Sequence, residues 1–506
     1  MIVTLVVLFI ASLLMAATWA AANGDIHLTQ TDSNAKKAYY AAQAGISQYI
    51  YHLNQDINYW TYCTGGLAAS NHALNQVNST ANRVAVPGAS EEEYAIQLLP
   101  ASTSAEAKCN PASPVATMIE GGTNFGGTFR IESTGFSGNQ ERTIVATFGH
   151  KGFLEFIYYT KYETSDPVTY SPVRPECEAP YGTRPESCRR IDFIGADHIN
   201  GPFHTQDNAS ICGEPTFGRK PSDSIEFLNG WRGSCEGKNE PKFLGTHVTT
   251  NLKSIEPPPS DTTLAASVEP AYHFFGKTVI VLQGSSMKIT YYEKEGEGFK
   301  LVTKEGVPYP TNGLIYVSSN KGTCPTYTPF GPTYTEDTHC GNVYVEGNNT
   351  GQLTIAAEND VVIHGNITTP VNGEQVPLTN AVLGLIANNF VRIYHPVSSR
   401  ANCETATNTE PALKNITIYA AILAVNHSFI VDNYDCGQPM EKLSVYGAIA
   451  QIFRGTVGTH NGEEVSSGYA KNYNYDDRLT VESPPFFLSP VAAAWIVKRE
   501  TLAPNP

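Results

Sequence analysis

The feature that most constrains this chain is its opening. "MIVTLVVLFIASLLMAATWAAAN" carries no charged side chain before Asp25. As a helix rising about 1.5 Å per residue, Met1–Ala22 would span a hydrocarbon core of about 30 Å. Nothing in the sequence that follows stops such a helix, because no proline occurs before Pro87. In "NAKKAYYAAQAGISQYIYHLNQD" (34–56), Tyr39, Ala42, Ile46, Tyr49, Ile50 and Leu53 recur at three- and four-residue spacings and make one apolar face. The alanines supply helix propensity, and Gly45 costs only about 1 kcal/mol. One helix is therefore expected from the first residues to about residue 55, roughly 80 Å long. Its apolar half is carried by Leu5, Val6, Leu8, Phe9, Leu13 and Leu14, its amphipathic half by Tyr39, Ala42, Gly45, Ile46, Tyr49 and Leu53. The competing reading is a secretion signal cleaved after Ala20-Ala21-Ala22. It lacks a basic leading region, and a discarded signal has no need of an amphipathic continuation.

Beyond the helix the composition turns toward strands. Gly (42), Pro (32) and Tyr (27) are plentiful and Met (5) is rare, a bias toward sheet and turn. The 506 residues suffice for two or three domains. A net charge of −15 argues against sequence-independent nucleic-acid binding, which needs cations to replace the counterions of phosphates. Ten cysteines are present: Cys63, Cys109, Cys177, Cys188, Cys212, Cys235, Cys324, Cys340, Cys403 and Cys436. None forms C-x-x-C, which sets aside zinc ribbons and thioredoxin-like sites. Their even number, in loop-rich sequence behind an apolar N-terminus, suggests disulfides in an oxidising compartment. Pairing of neighbours in chain order is the simplest arrangement, and buried thiols are the alternative.

Residues 56–150 read as a small mixed unit. "YAIQLLP" (94–100), "GTFRIESTG" (127–135) and "RTIVATFG" (142–149) alternate and end in turn residues, with Phe129, Ile131, Ile144 and Ala146 expected on one face. Residues 151–480 change texture. "HINGPFHT", "VVIHGNIT", "TIYAAILA" and "LSVYGAIA" each set a small residue between alternating apolar pairs, without a helical period. Strand, small turn and strand repeated in this way suggest a right-handed β-helix, or β-solenoid, in which Ile, Val, Leu and Ala stack inward. Asn388, Asn389 and Asn426 suit bends that need left-handed backbone. A β-sandwich is the alternative. An insertion is expected at about 240–342, opening with the Pro-rich surface crossing "SIEPPPSDTTLAASVEPAY". Residues 481–506 read as a tail with an amphipathic packing segment. The fold class is thus α+β, mostly β.

The lipid-length apolar run followed by "KKAYYAAQAGISQYIYHLNQD" resembles the N-terminal region of PilX-type type IV pilus assembly proteins. The resemblance implies that "AYYAAQAGI" marks where a membrane helix leaves the bilayer, and that its outer half packs on a small sheet. No basic leader ending in Gly precedes the run, and Thr4 stands near where many pilins carry glutamate. The phrases "HINGPFHTQDNASICGEPTF", "NGLIYV" and "LGLIANNFVRIYHP" also resemble the solenoid-type extracellular region of PilX-like bacterial surface proteins.

Catalytic signatures do not emerge. H-E-x-x-H, G-x-S-x-G, a P-loop and G-x-G-x-x-G are all missing, and "GFSGN" places Ser137 in a hairpin turn. His198 and His204, near Asp192, Asp197 and Asp207, come closest to a metal cluster; six apart in strand-like sequence, they would share a face. Asp360, Glu358, Arg392 and Arg454 would be the set for an acidic-polysaccharide enzyme, if they lay on one exposed rung face. His364 and His395 read as structural. The N-x-S/T matches at Asn78, Asn208, Asn348, Asn366, Asn415 and Asn426 read as turn residues. The expectation is a non-enzymatic, single-pass membrane protein of a type IV pilus-like system, with no cofactor and no metal. Its bulk lies outside the cell, at or near a pilus tip. Its partners are membrane lipid, other pilin-like subunits and a surface or glycan ligand, not nucleic acid. The alternative is a secreted or tethered solenoid that binds or cleaves cell-surface polysaccharide.

Overall fold

The computed structural model describes residues 2–56, 58–61, 63, 83–101, 104, 108–110, 112–119, 128–150, 152–248, 254–295, 298–320, 324–331, 338–480, 482–490 and 495–503. Asn78 lies outside them, as do the side chains of Ala20, Ala21 and Ala22. The chain is mostly β with an N-terminal helix, and it divides into two units. The first holds the described residues up to His150 and those from Trp495 onward; the second holds 152–490.

In the first unit α1 (Ile2–Gln55) is a single unbroken helix. Its second half packs on an antiparallel sheet of β1 (Val84–Ala85), β2 (Glu93–Leu99), β3 (Phe129–Ser137), β4 (Gln140–His150) and the C-terminal strand Trp495–Leu502, in that order. Phe129, Ile131, Ile144 and Ala146 face inward and are buried, as the alternation of β3 and β4 dictates. Phe129 stacks on Phe148 at 5.1 Å, and Trp495 meets Phe129 edge-on at 4.8 Å. The tail is therefore not an amphipathic packing segment. It is a sheet strand, because its unpaired backbone finds an open edge on β4. Ser137 ends β3 and pairs with Gln140 across the two-residue turn at Gly138.

The second unit is built on parallel ladders. One column runs His273–Phe275, Leu314–Ser318, Gln352–Ala357, Val382–Ala387, Ile416–Ala424, Pro439–Phe453, Tyr158–Tyr162, Phe203–Thr205, Ser224–Phe227 and Thr246–Val248. Every step in it is parallel. A second column joins Thr278–Gly284, Val343–Asn349, Val361–Thr368, Val391–Ile393 and Phe429–Val431. Side chains in register make continuous buried ladders. One reads Ile315, Ile355, Leu385, Ile422, Ile449, Tyr158, Phe203, Ile225, aliphatic except for the aromatic pair Tyr158 and Phe203.

The order of this column is not the order of the chain. The strand carrying Ile449 is followed in space by the strand carrying Tyr158, so residues 158–248 extend the stack beyond its C-terminal turn. The chain must then return along it. Residues 254–272 do so as a strap: the Ile255 carbonyl accepts from Tyr159 Oη and Gln206 Nε2, Asp261 accepts from Tyr316 Oη, and the Ser267 carbonyl accepts from Asn312 Nδ2. Five strand steps at about 4.8 Å put the strand of Leu314 about 24 Å from that of Tyr158. Three consecutive prolines, Pro257 to Pro259, suit the extended path. The expected insertion at 240–342 is thus narrower, since Thr246–Val248, His273–Phe275 and Leu314–Ser318 belong to the column itself. What departs from it is the strap and an antiparallel hairpin, Ser286–Glu295 with Gly298–Pro308.

The bends differ from expectation. Asn388, Asn389 and Asn426 are not among the residues with positive φ, whereas Asn433 is, at 47°. They act through their amides instead. Asn389 Nδ2 donates to Asn359 Oδ1 at 2.6 Å, Asn359 Nδ2 to Asn342 Oδ1 at 2.6 Å, and Asn426 Nδ2 to the Asn388 carbonyl at 2.9 Å. Such ladders satisfy polar groups between successive turns where the strand hydrogen bonds stop.

Candidate functional site

The two halves of α1 have opposite surroundings. Ala42, Ile46, Tyr49 and Leu53 are buried against the sheet, and Tyr39 is partly buried beside them. Contact is close enough that a side-chain carbon on Gly45 would strike Ser133 Oγ and the Tyr94 ring. Ser133 Oγ donates to the Ala42 carbonyl at 2.8 Å. By contrast Leu5, Val6, Leu8, Phe9, Leu13 and Leu14 are all at least half exposed, together with Ile2, Val3, Val7, Ile10, Met15 and Trp19. The first residues were expected to cross a lipid core. Among the described residues no helix is long and apolar enough to cross a membrane.

The histidines and acids read as a possible cluster are not brought together. His198 is exposed, whereas His204 is buried with Nδ1 2.7 Å from Glu226. The turn at Gly201 interrupts the strand between them, so the six-residue spacing no longer fixes a common face. Asp197 takes the Lys471 ammonium at 2.7 Å, and Asp207 the Arg184 guanidinium at 2.5 Å. The rung-face set also dissolves. Asp360, Arg392 and Arg454 are buried, Arg392 between Asp360 (3.0 Å) and Asp432 (3.1 Å), Arg454 on Glu163 (2.9 Å). Glu358 accepts from the Ser319 amide. These charges satisfy one another inside the unit, and none of them forms an exposed face.

All ten cysteines are oxidised, as Cys63–Cys109, Cys177–Cys188, Cys212–Cys235, Cys324–Cys340 and Cys403–Cys436. His460 lies with Cys212 and Cys235 inside a 4.8 Å donor set. Because the two sulfurs are bonded to each other, they offer no thiolate to a metal.

An open cleft of about 700 Å³ lies in the second unit. Arg189, Arg190, Arg232, Asp192 and His460 line it, with serine and threonine hydroxyls and the rings of Tyr434 and Phe330. Asp192, Ser210 and Arg232 sit side by side on three adjacent parallel strands. Burial would raise the Asp192 carboxyl, but hydrogen bonds from His460, Ser210 and Ser234 hold it down to about 2. His460, 3.1 Å from Asp192, is raised in turn by that bond. Arg190 is lowered by burial and then by the neighbouring Arg232 guanidinium. Sequence reasoning missed this site because its members are spread over residues 165–460. The available signal was basic residues beside cysteines: Arg189 and Arg190 directly follow Cys188, and Arg232 lies three before Cys235.

No family model matches the chain, and no curated protein matches it. Among solved structures it is similar to the competence-associated pilin ComZ from Thermus thermophilus, at 12% identity and a TM-score of 0.27, over 93% of this chain and 97% of that one. A likeness of that kind fixes neither fold nor role.

Proposed function

We propose that the chain is a pilin-like component of a type IV pilus-like surface system. In this reading α1 is the assembly helix, the first unit its small head, and the second unit a β-solenoid displayed outside the cell. The observation that carries it is the continuity of α1: one helix, sealed onto a sheet along its second half and presenting large apolar side chains along its first. An exposed apolar stretch of that extent needs covering. Lipid covers it before assembly and neighbouring helices cover it afterwards, in a single-pass arrangement. Five disulfides suit an oxidising, extracytoplasmic location for the bulk of the chain.

The test is membrane retention under alkaline carbonate. Wild-type protein remains with the membrane pellet, whereas Leu8→Asp with Leu13→Asp moves to the supernatant with its disulfides intact. Extraction of the wild-type chain by carbonate would sink the reading. A second reading, a solenoid that binds cell-surface saccharide, is favoured by the arginine-lined cleft.

A further inference from the structure

We propose that the cleft binds an acidic saccharide, with carboxylates held by Arg189, Arg190 and Arg232 and sugar hydroxyls by the serines and threonines between them. The inference deepens the second reading above and is independent of the assembly helix, so either can fail without the other.

Charge comes first. Arg189 and Arg232 are exposed and have no carboxylate partner among the described residues, and Arg190 reaches only the exposed Glu186, at 3.6 Å. Of the three acids of the lining, Asp192 is engaged by His460 at 3.1 Å and Asp435 by Arg400 at 2.5 Å, which leaves the exposed Glu186 beside Arg190. Two guanidinium groups without a carboxylate partner therefore stand beside a third that is only weakly paired, on a chain whose net charge is −15. Arg190 and Arg232 are near enough for their charges to act on each other, and an anion between them relieves that repulsion. Arginine's planar fork matches a carboxylate with two parallel hydrogen bonds, which a point charge cannot reproduce.

The rest of the lining selects among anions. A volume of about 700 Å³ is far more than an inorganic ion fills and falls within the usual range for organic ligands. Ser187, Ser210, Ser234, Thr456 and Thr459 line the cleft with hydroxyls; Ser210 and Ser234 already bond Asp192 and Thr459 bonds Ser467, and each keeps a lone pair that can accept from a ligand hydroxyl. A sugar ring presents the same kind of group. Phe330, partly buried with its ring 5.6 Å from that of the buried Tyr434, offers apolar surface for the carbon face of a ring. A nucleic acid strand, with a phosphate at every step, would extend its charge over the rest of an acidic protein. A short uronate places one carboxylate per sugar and keeps the remainder neutral.

The site is also built in advance. Asp192, Ser210 and Arg232 are fixed at one register of adjacent strands, about 4.8 Å apart. The Cys177–Cys188 bond ends directly before Arg189, and Cys212–Cys235 ties the strand of Ser210 to the segment just after Arg232. Holding the cations in place before binding lowers the ordering cost of association.

The experiment is isothermal titration of the full chain in detergent with tetragalacturonate, maltotetraose and a thymidine tetranucleotide. Tetragalacturonate should bind at least tenfold more tightly than either of the others. Arg189→Ala with Arg232→Ala should weaken it at least tenfold, while Lys288→Ala, on the distant hairpin, leaves it unchanged. Arg189 lies 4.4 Å from the centre of the Tyr170 ring and donates to Tyr434 Oη and the Thr169 carbonyl at 3.4 Å, so the double variant is used if its thermal melt matches wild type. Should it not, Arg232→Gln alone should still weaken binding at least threefold. Failure of tetragalacturonate to bind, undiminished binding by a folded double variant, or equal binding of the tetranucleotide would overturn the proposal.

Discussion

Gly135 on β3 lies directly beneath Ala38 of α1, so close that a side-chain carbon on the glycine would collide with the Ala38 carbonyl and the Ala42 amide. Helix and sheet touch there backbone to backbone. Replacing the glycine with alanine forces the two apart along the whole contact. Gly135→Ala should therefore destabilise the first unit by about 1–3 kcal/mol, the usual cost of overpacking. Chemical denaturation followed by Trp60 and Trp495 fluorescence measures it, and an unchanged midpoint would mean that α1 is not seated as described.

Arg392 is held between two buried carboxylates, Asp360 and Asp432, and its guanidinium also lies 4.3 Å from the centre of the Tyr327 ring. Removing the cation alone leaves two acids without compensation in a dry interior. Arg392→Met should cost about 3–5 kcal/mol. The triple replacement Arg392→Met, Asp360→Leu, Asp432→Leu should recover much of that loss, because desolvation of the ions then disappears. Urea midpoints of the three proteins decide the matter.

Asp261, on the strap, is pushed up to about 7 by burial; the nearby Glu358 charge adds to this, and the Tyr316 hydroxyl only partly offsets it. One of its carboxyl oxygens, Oδ2, is buried without a hydrogen-bond partner. The unfolded chain releases this proton near pH 4 and the folded chain near pH 7. Between those values the folded state holds a proton that the unfolded state has lost, so stability falls as pH rises and then levels off. The total is of the order of 4 kcal/mol. Asp261→Asn should remove this slope, which thermal melts between pH 4 and 8 would show.

The Asp192–His460 pair has the opposite acid behaviour. The depressed carboxylate contributes stability above about pH 4, lost as pH falls toward about 2. The raised imidazole contributes below about pH 6.5, lost as pH rises through its folded value. The pair therefore helps most between those limits. NMR titration of His460 in Asp192→Asn should show a lower imidazole pKa than in wild type; an unaltered titration would separate the two groups.

What could be read from the sequence was what local periodicity carries. The helix of Tyr39 to Leu53 and the faces of β3 and β4 follow from three-four and two-residue spacings, which need no distant partner. The strand Trp495–Leu502 was hidden because its partner β4 lies some three hundred and fifty residues earlier and prolines flank the run. The pairing of Ile449 with Tyr158 was hidden for a related reason: alternation shows that a strand has a buried face but not which strand stacks on it. Arg392 and Arg454 looked like surface charges because burial of an ion depends on partners such as Asp432 and Glu163, which are far away in the chain. The cleft arginines carry no local pattern beyond their nearness to cysteines.

The central claim is that the apolar half of α1 belongs to the working protein. The most direct test is the mass of the N-terminal peptide of the chain recovered from cells. The account predicts a mature protein that retains Leu5 through Leu14 joined to Tyr39 and the rest of α1. A mature chain beginning at Asn23 would contradict it and leave the second unit as the displayed part of a secreted, saccharide-binding protein.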